Sequence, residues 1–311
     1  MREHAIRMAV RRSQLLSTHE GTHRAAFGAI DWLWLAVPAV IWGCSFLFIA
    51  EALEAFSPGL IVLGRILFGA VALGFVPSAR RARIPGHEWP RVVLLGLTWM
   101  ALPFACFAVA EQWIDSALAG MLNATMPLIT AVMSALMLRR APHRRQTIGL
   151  LVGCAGAILI AAPELDDAGS SAVSGVALVM LAICAYSFSA NLSIPLIQSY
   201  GSLAVIWRTQ LAAIAWSAPF GVRGLGDIDF SWSPLLALVA LGVGGTAIAQ
   251  LMAARLMARV GATRGSMITY AMPIVAIAAG VAFRSETVAA ASLAGIAIVL
   301  SGAALASRSE V

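Results

Sequence analysis

Residues 116–138 read SALAGMLNATMPLITAVMSALML, and residues 262–283 read ATRGSMITYAMPIVAIAAGVAF. The first run carries no charge and the second only Arg264. Each is long enough to cross a hydrocarbon layer of about 30 Å as a helix rising about 1.5 Å per residue. Both hold a Met-Pro pair, Met126-Pro127 and Met272-Pro273, and the pairs lie 146 positions apart. Around each pair, small and polar residues recur every three or four positions: Ser116, Gly120, Asn123, Pro127, Thr130 and Ser134 in one run, Ser266, Thr269, Pro273, Ala276 and Gly280 in the other. Polar groups in hydrocarbon are costly unless paired, so these faces are expected to turn inward, toward each other or toward a watery cavity. The chain reads as a helical membrane protein that contains one element twice.

Extending the 146-residue offset aligns 95–160 with 241–306 without a gap, pairing Leu95-Gly96 with Leu241-Gly242, and Gly149 and Gly156 with Gly295 and Gly302. Only eleven of the sixty-six positions are identical, so the weight rests on rare residues recurring at one depth. An offset of 144 pairs Trp42 with Tyr186 and Ser45 with Ser189. Apolar runs between charged or Pro/Gly-rich breaks predict ten helices, at about 33–51, 59–77, 91–111, 116–138, 147–162, 175–197, 203–221, 234–257, 262–283 and 288–306. Five helices per half is an odd number, so the second copy enters the membrane upside down. The expected fold is an all-α membrane protein with ten transmembrane helices in two inverted five-helix repeats. Residues 1–30 form a cytoplasmic tail, 31–162 the first repeat and 163–311 the second.

Composition agrees. Of 311 residues, 60% are hydrophobic and 12% charged, with a mean hydropathy of +0.87. A soluble domain keeps about a quarter of its residues charged, so an ordinary globule is excluded. The 21 basic residues are all arginine, and they fall in short clusters between apolar runs rather than along one face, which argues against nucleic-acid binding. The absence of lysine resembles GC-biased coding and points to a bacterial inner membrane. Arg2, Arg7, Arg11, Arg12 and Arg24 mark the tail, Arg80, Arg81, Arg83 and Arg91 the second connection, and Arg139, Arg140, Arg144 and Arg145 the fourth. The alternate connections hold Glu51 and Glu54, then Glu111 and Asp115, then Glu164, Asp166 and Asp167. By the positive-inside rule both termini are expected in the cytoplasm. The tail has no continuous apolar core or cleavage site and reads as an extension rather than a signal peptide.

Cys44, Cys106, Cys154 and Cys184 each stand alone in an apolar run and read as small buried hydrophobes. The five histidines lie in the tail or in polar connections, so no metal, haem or other cofactor is expected. No HExxH or GxSxG occurs, and no histidine base lies within a span, which argues against an enzyme.

The candidate substrate-binding set is Trp42, Ser45, Arg65, Trp99, Asn123, Pro127, Tyr186, Ser189, Gln250, Thr269, Tyr270 and Pro273. Each member has a competing reading. The polar stripes serve a cavity or small-residue helix packing. Pro127 and Pro273 free carbonyls for a substrate or only set a bend. Arg65, about seven residues into the second helix, costs at least ~2.5 kcal/mol to insert. It either snorkels, pairs with Glu51 or Glu111, or meets an anionic group on a substrate. Trp99 matches Gly245 in the repeat, an asymmetry that would shape a pocket for an apolar or aromatic group, and Phe104 and Phe107 join the core aromatics. Trp32, Trp34 and Trp89 read as interfacial anchors, and Gly149 with Gly153 as a helix-packing pair.

Ile41-Trp42-Gly43-Cys44-Ser45-Phe46 on the first helix and Ser57-Pro58 leading to Arg65 on the second are followed by Met126-Pro127, Gly149 and Gly156, then Met272-Pro273, Glu286, Gly295 and Gly302. In that order, over about 35–306, they resemble the EamA-type branch of the drug/metabolite transporter superfamily. The resemblance implies a secondary transporter that moves a small organic metabolite, an amino acid or related compound, through a cavity between the halves, with export as the leading expectation. Coupling to protons or to a counter-substrate stays open, as does the oligomeric state. An alternative is proton-linked efflux of lipophilic cations, which calls for a buried carboxylate, whereas Glu51, Glu54, Glu111 and Asp115 sit near span ends. One departure stands out: a glutamate usual in that family after the fourth helix, present after the ninth as Glu286, is replaced by Arg139-Arg140.

Overall fold

A computed structural model describes residues 17–23, 27–139, 144–226 and 228–307. Arg2, Arg7, Arg11, Arg12, Arg24 and Arg140 lie outside that set, as do the side chains of Glu164, Asp166 and Asp167. Among the described residues all regular structure is helical. The elements are α1 (Ala29–Ala52), α2 (Pro58–Gly74), the short α3 (Pro77–Arg81), α4 (Trp89–Leu95), α5 (Leu102–Ala110), α6 (Ser116–Leu122), α7 (Met126–Met137), α8 (Arg144–Tyr200), α9 (Ser202–Gly221), α10 (Trp232–Ala240), α11 (Gln250–Val260), α12 (Ala262–Gly265), α13 (Met272–Arg284) and α14 (Ala290–Ser307). Wide π turns join α4 to α5 (Gly96–Ala101) and α10 to α11 (Leu241–Ala249). Tight 3₁₀ turns join α6 to α7 (Asn123–Thr125) and α12 to α13 (Ser266–Tyr270).

Among the described residues, six helical stretches are long and apolar enough to span a bilayer: Ala29–Ala52, Gly86–Ala110, Ser116–Met137, Ser171–Tyr200, Trp232–Val260 and Ala262–Arg284. Shorter apolar helices occupy Pro58–Gly74, Thr147–Pro163 and Ala290–Gly302. Large apolar side chains such as Phe75, Ile158, Ile274 and Phe283 stand outward, as expected of a surface solvated by lipid. Trp32 and Trp89 are exposed at element ends, in keeping with interfacial anchors. Cys106 is buried, but Cys154 and Cys184 face outward: in lipid an apolar residue gains little by hiding, so the expectation of burial fails for those two.

Local sequence explains the boundaries. Ser57 accepts the Leu60 N–H at 3.4 Å and Pro58 occupies the first turn, a strong start signal for α2. Gly201 and Gly261, at φ +80° and +89°, supply the left-handed residues on which α8 turns into α9 and α11 into α12. Pro127 and Pro273 each sit in the first turn of a helix, directly after the 3₁₀ break within a longer helical stretch.

The backbone is helical throughout Arg144–Tyr200, yet α8 reverses direction. A Cβ on Gly153 would overlap Leu128, while Ser187 accepts a hydrogen bond from Thr130 at 3.0 Å. On a straight helix those two positions would lie about 51 Å apart at 1.5 Å per residue, whereas Leu128 and Thr130 are near neighbours on α7. Gly175 faces Ile114 and Ser292 donates to the Ile160 carbonyl, so the reversal falls between 160 and 175.

Glycines set the closest helix contacts. A Cβ on Gly156 would meet the Gly295 carbonyl at 2.8 Å, and one on Gly302 the Gly149 carbonyl at 2.6 Å, which packs the first part of α8 against α14. The packing reading of Gly149 and Gly153 is the one the contacts support. Likewise Gly120 of α6 lies against Ala276 of α13 and the ring of Phe46. The elements meet at two ends. Glu51, Glu54, Glu111, Arg284 and Glu286 gather at one, and the arginine-rich connection before α4, Gln198 and Gly261 at the other.

Candidate functional site

Elements from both sequence halves enclose a central cavity. Its wall takes Trp42, Ser45, Phe46 and Ile49 from α1, Arg65 from α2, Trp99 from the first π turn, and Phe104 and Phe107 from α5. Asn123 and Met126 follow at the α6–α7 break, Tyr186 on α8, Gln250 and Met257 on α11, and Ser266, Ile268, Thr269 and Met272 at the α12–α13 break. The free space is about 60 Å³, against roughly 300–1,000 Å³ for small-molecule pockets generally, so the cavity is contracted.

Arg65 is its central charge, and the structure bears on two of its three sequence readings, snorkelling and pairing with a carboxylate. The side chain is 4% exposed and does not snorkel. Glu51 is engaged elsewhere, accepting from Ser233 and facing Arg284 at 3.7 Å. Glu111 feels the charge of Arg65 but forms no ion pair with it, and both its carboxylate oxygens are buried without a hydrogen-bond partner among the described residues. What holds Arg65 is Nε donating to Thr246 Oγ1 at 3.2 Å and a guanidinium carbon 3.8 Å above the Phe104 ring. A desolvated cation–π contact is worth about 2 kcal/mol, and a hydrogen bond to a charged group about 1.5–3 kcal/mol. Together these match the insertion cost, but they use one of five N–H donors and one face. The four Nη donors have no hydrogen-bond partner among the described residues, and Nη2 points at Gly245, where a Cβ would stand 3.4 Å away.

Thr246 is held in turn. Its hydroxyl donates to the Leu241 carbonyl at 2.9 Å across the π turn, and its own carbonyl accepts Gln210 Nε2 at 2.6 Å. Trp42 Nε1 donates to the Gly245 carbonyl at 2.9 Å. The second π turn is therefore a backbone shelf under the guanidinium. Gly245 faces Ser45, Arg65 and Trp42, so the space its missing side chain leaves is taken by the arginine.

Aromatic rings form the rest of the wall. Tyr186 lies 6.1 Å from Phe107 and 6.5 Å from Phe104, and Phe107 meets Phe46 edge-on at 5.5 Å. Asn123 turns Nδ2 toward Met272 Sδ at 3.6 Å; its Oδ1 and the Nε2 of Gln250 have no hydrogen-bond partner among the described residues. Thr269 donates to the Ser266 carbonyl of its own turn.

Of the candidate residues, Trp42, Ser45, Arg65, Trp99, Asn123, Tyr186, Gln250 and Thr269 line this cavity. Four sit outside its wall. Ser189 bonds Thr98 Oγ1 at 2.7 Å between α8 and the first π turn, Tyr270 is packed against the core, and Pro127 and Pro273 are buried behind the wall. The polar stripe also divides: Thr130 serves Ser187 and Asn191 of α8, while Ser116 serves Glu286. Sequence reasoning missed Thr246 and Gln210, which lie in runs with no polar periodicity, and Arg208, whose guanidinium donates to the Ala79, Arg80 and Ala82 carbonyls and anchors the loop after α3.

Among known proteins, the chain is 24% identical to a protein of Archaeoglobus fulgidus named as a transporter, over 87% of this chain and 96% of that one. It is 25% identical to the Bacillus subtilis transporter YdfC over 84% and 86%, and 22% identical to a WAT1-related chloroplastic protein of Arabidopsis thaliana over 93% and 71%. One solved crystal structure superposes with a TM-score of 0.66 at 20% identity, covering 89% of this chain and 97% of the other, which speaks to fold alone. The EamA-like transporter family profile matches the chain twice, over residues 30–162 and 173–308. With membrane-length apolar helices, a central cavity and a family match over most of its length, this multi-pass membrane protein belongs to the EamA-like transporter family.

Proposed function

We propose that the protein moves a small organic metabolite bearing an anionic or zwitterionic group, an amino acid or related compound, across a bacterial inner membrane by alternating access. The single observation that carries the substrate reading is Arg65: a buried guanidinium with its Nη donors unpartnered, facing a cavity of aromatic rings and amide side chains. A carboxylate accepts those paired donors in the plane of the guanidinium. Asn123 and Gln250 offer polar atoms for an amine or hydroxyl, and the rings pack against an apolar portion. All ten apolar segments cross the bilayer in this reading, the second five inverted relative to the first, with the arginine-rich end in the cytoplasm. Export is the direction we favour. The contracted cavity has to widen to admit a metabolite, which is the behaviour expected of an occluded stage.

The test is a thermal-shift screen of purified protein against amino acids, organic acids, sugars and lipophilic cations, because a ligand that binds only the native state raises its apparent stability. Acidic or zwitterionic compounds should raise Tm in the parent and not in Arg65→Gln. Stabilisation by lipophilic cations alone, or by acids equally in both proteins, would refute the assignment.

A further inference from the structure

At the acidic end of the molecule, a carboxylate joins the two sequence halves. Glu286, following α13, caps the start of α6: Oε1 accepts from Ser116 N at 3.2 Å and Ser116 Oγ at 2.6 Å, and Oε2 from Ala117 N at 2.9 Å. A negative group is well placed there, satisfying helix N-terminal N–H groups and facing the positive end of the helix dipole. Gly280 makes room, since a Cβ there would overlap the Glu286 carboxylate.

The 146-residue repeat maps Ser116-Ala117 onto Ala262-Thr263 and Glu286 onto Arg140. At the opposite end, then, the equivalent helix start receives no acid from the equivalent sequence position, and α12 begins after Gly261 with no side-chain cap. What lies there instead is a strap of the amino-terminal segment, Ser17–His23. His23 N donates to the Arg259 carbonyl at 2.8 Å, and Arg264 Nη1 returns a bond to the His23 carbonyl at 3.3 Å. Gly21 lies so close to Gly261 that a Cβ on it would overlap the Val260–Gly261 peptide. Gln198 Nε2 donates to both the Glu20 and Ala258 carbonyls, at 3.1 and 3.0 Å, tying the strap to α8 and α11 together. Thr18 Oγ1 donates to the Asn191 carbonyl at 2.8 Å, and Arg91 at the start of α4 holds the Ser17 carbonyl at 2.8 Å. The strap thus fastens a first-half helix to three second-half elements.

We infer that Ser17–His23 is a latch that takes the place of the missing repeat-related carboxylate and holds the arginine-rich end of the molecule closed. Opening of that end requires the strap to lift from Gly261, Gln198 and Arg91. Closure at the two ends is consequently unequal: one end is held by side chains, Glu286 on α6 and Arg284 with Glu51 and Glu54, the other by a segment of main chain beside the Arg259–Asp31 ion pair at 2.9 Å. The inference rests on the alternating-access reading but not on the substrate, and its test reads accessibility, so its failure is distinguishable from a failed ligand assignment.

The test uses the full-length, cysteine-free protein with one cysteine at Met257→Cys, on the cavity wall toward the strapped end, or at Ile49→Cys, on the wall toward the acidic end. Gly21→Val introduces the overlapping Cβ and should raise the maleimide reaction rate at position 257 by about tenfold, the population change expected from losing one or two net hydrogen bonds, and leave position 49 unchanged. The pair Thr18→Ala with Arg91→Gln removes bonds without adding bulk and serves if the valine variant does not fold; a rise in the same direction is expected. No rise at 257 in a variant that folds, or an equal rise at 49, would overturn the latch.

Discussion

Arg65 shows how far a single residue could be read before its surroundings were known. Sequence alone located a charge that needed an offset, and left snorkelling, pairing and substrate contact open because each depends on three-dimensional neighbours. The groups that hold it, Thr246, Gln210 behind it and Phe104, come from other elements, and Thr246 lies 181 positions away. No periodicity marks such a partner, since one hydroxyl in an apolar run reads as a packed hydroxyl until a charge is found beside it. Arg65→Gln should insert and fold, yet raise the concentration needed for half-maximal transport of an acidic substrate by about tenfold or more, given about 1.5–3 kcal/mol for a charged hydrogen bond. Arg65→Lys should recover little, because an ammonium lacks the planar two-point grip and the stacking on Phe104. Thr246→Ala should give a smaller loss in the same assay by freeing Nε to reorient. A lysine variant equal to the parent would show that charge alone is recognised.

At the scale of elements, the Met-Pro pairs and glycine spacings were legible because they are sequence-local, and their roles were set by what each helix met. Pro127 and Pro273 each follow a 3₁₀ turn within a membrane-length helical stretch, and Asn123 and Thr269 in those turns line the cavity. The π turns at Gly96–Ala101 and Leu241–Ala249 left no trace in hydrophobic periodicity, since one extra residue per turn shifts a stripe by less than the width of an apolar face. Gly156 and Gly295 hold α8 and α14 at backbone distance, where a Cβ on Gly156 would meet both the Gly295 carbonyl and Val299 N at 2.8 Å. Gly156→Leu should therefore lower the unfolding temperature in detergent or abolish folded yield, as overpacking costs about 1–3 kcal/mol or more. Leu151→Ala, on the exposed face of the same helix, should change it little. Equal effects from the two would mean that the glycine seam is not a packing constraint.

For the whole molecule, helical membrane architecture followed from composition and run length, whereas the crossing count rests on segments whose status length alone does not fix: Pro58–Gly74, Thr147–Pro163 and Ala290–Gly302 are short, and Ser202–Gly221 carries the polar residues Arg208, Thr209 and Gln210. Inversion of the second half makes a sharper demand than any count, because connections that are equivalent in the repeat must then lie on opposite sides of the bilayer. In the proposed repeat, the link between α1 and α2 corresponds to that between α8 and α9, and the link before α4 to the one between α9 and α10. Glu54, Ser199, His87 and Leu225 are exposed positions in or beside these four links. Placed one at a time as cysteines in a cysteine-free protein, Glu54→Cys and Leu225→Cys should react with an impermeant maleimide on intact cells, while His87→Cys and Ser199→Cys should react only after permeabilisation. The arginines before α4 set this sign through the positive-inside rule. If all four sides were exchanged, the inverted repeat would survive and the orientation would fall, together with export as the favoured direction. If Glu54 and Ser199 reacted from the same side, the second half would not be an inverted copy of the first. The cavity would then lack the symmetry that lets it open to each side in turn, and a carrier mechanism for Arg65 would lose its structural basis.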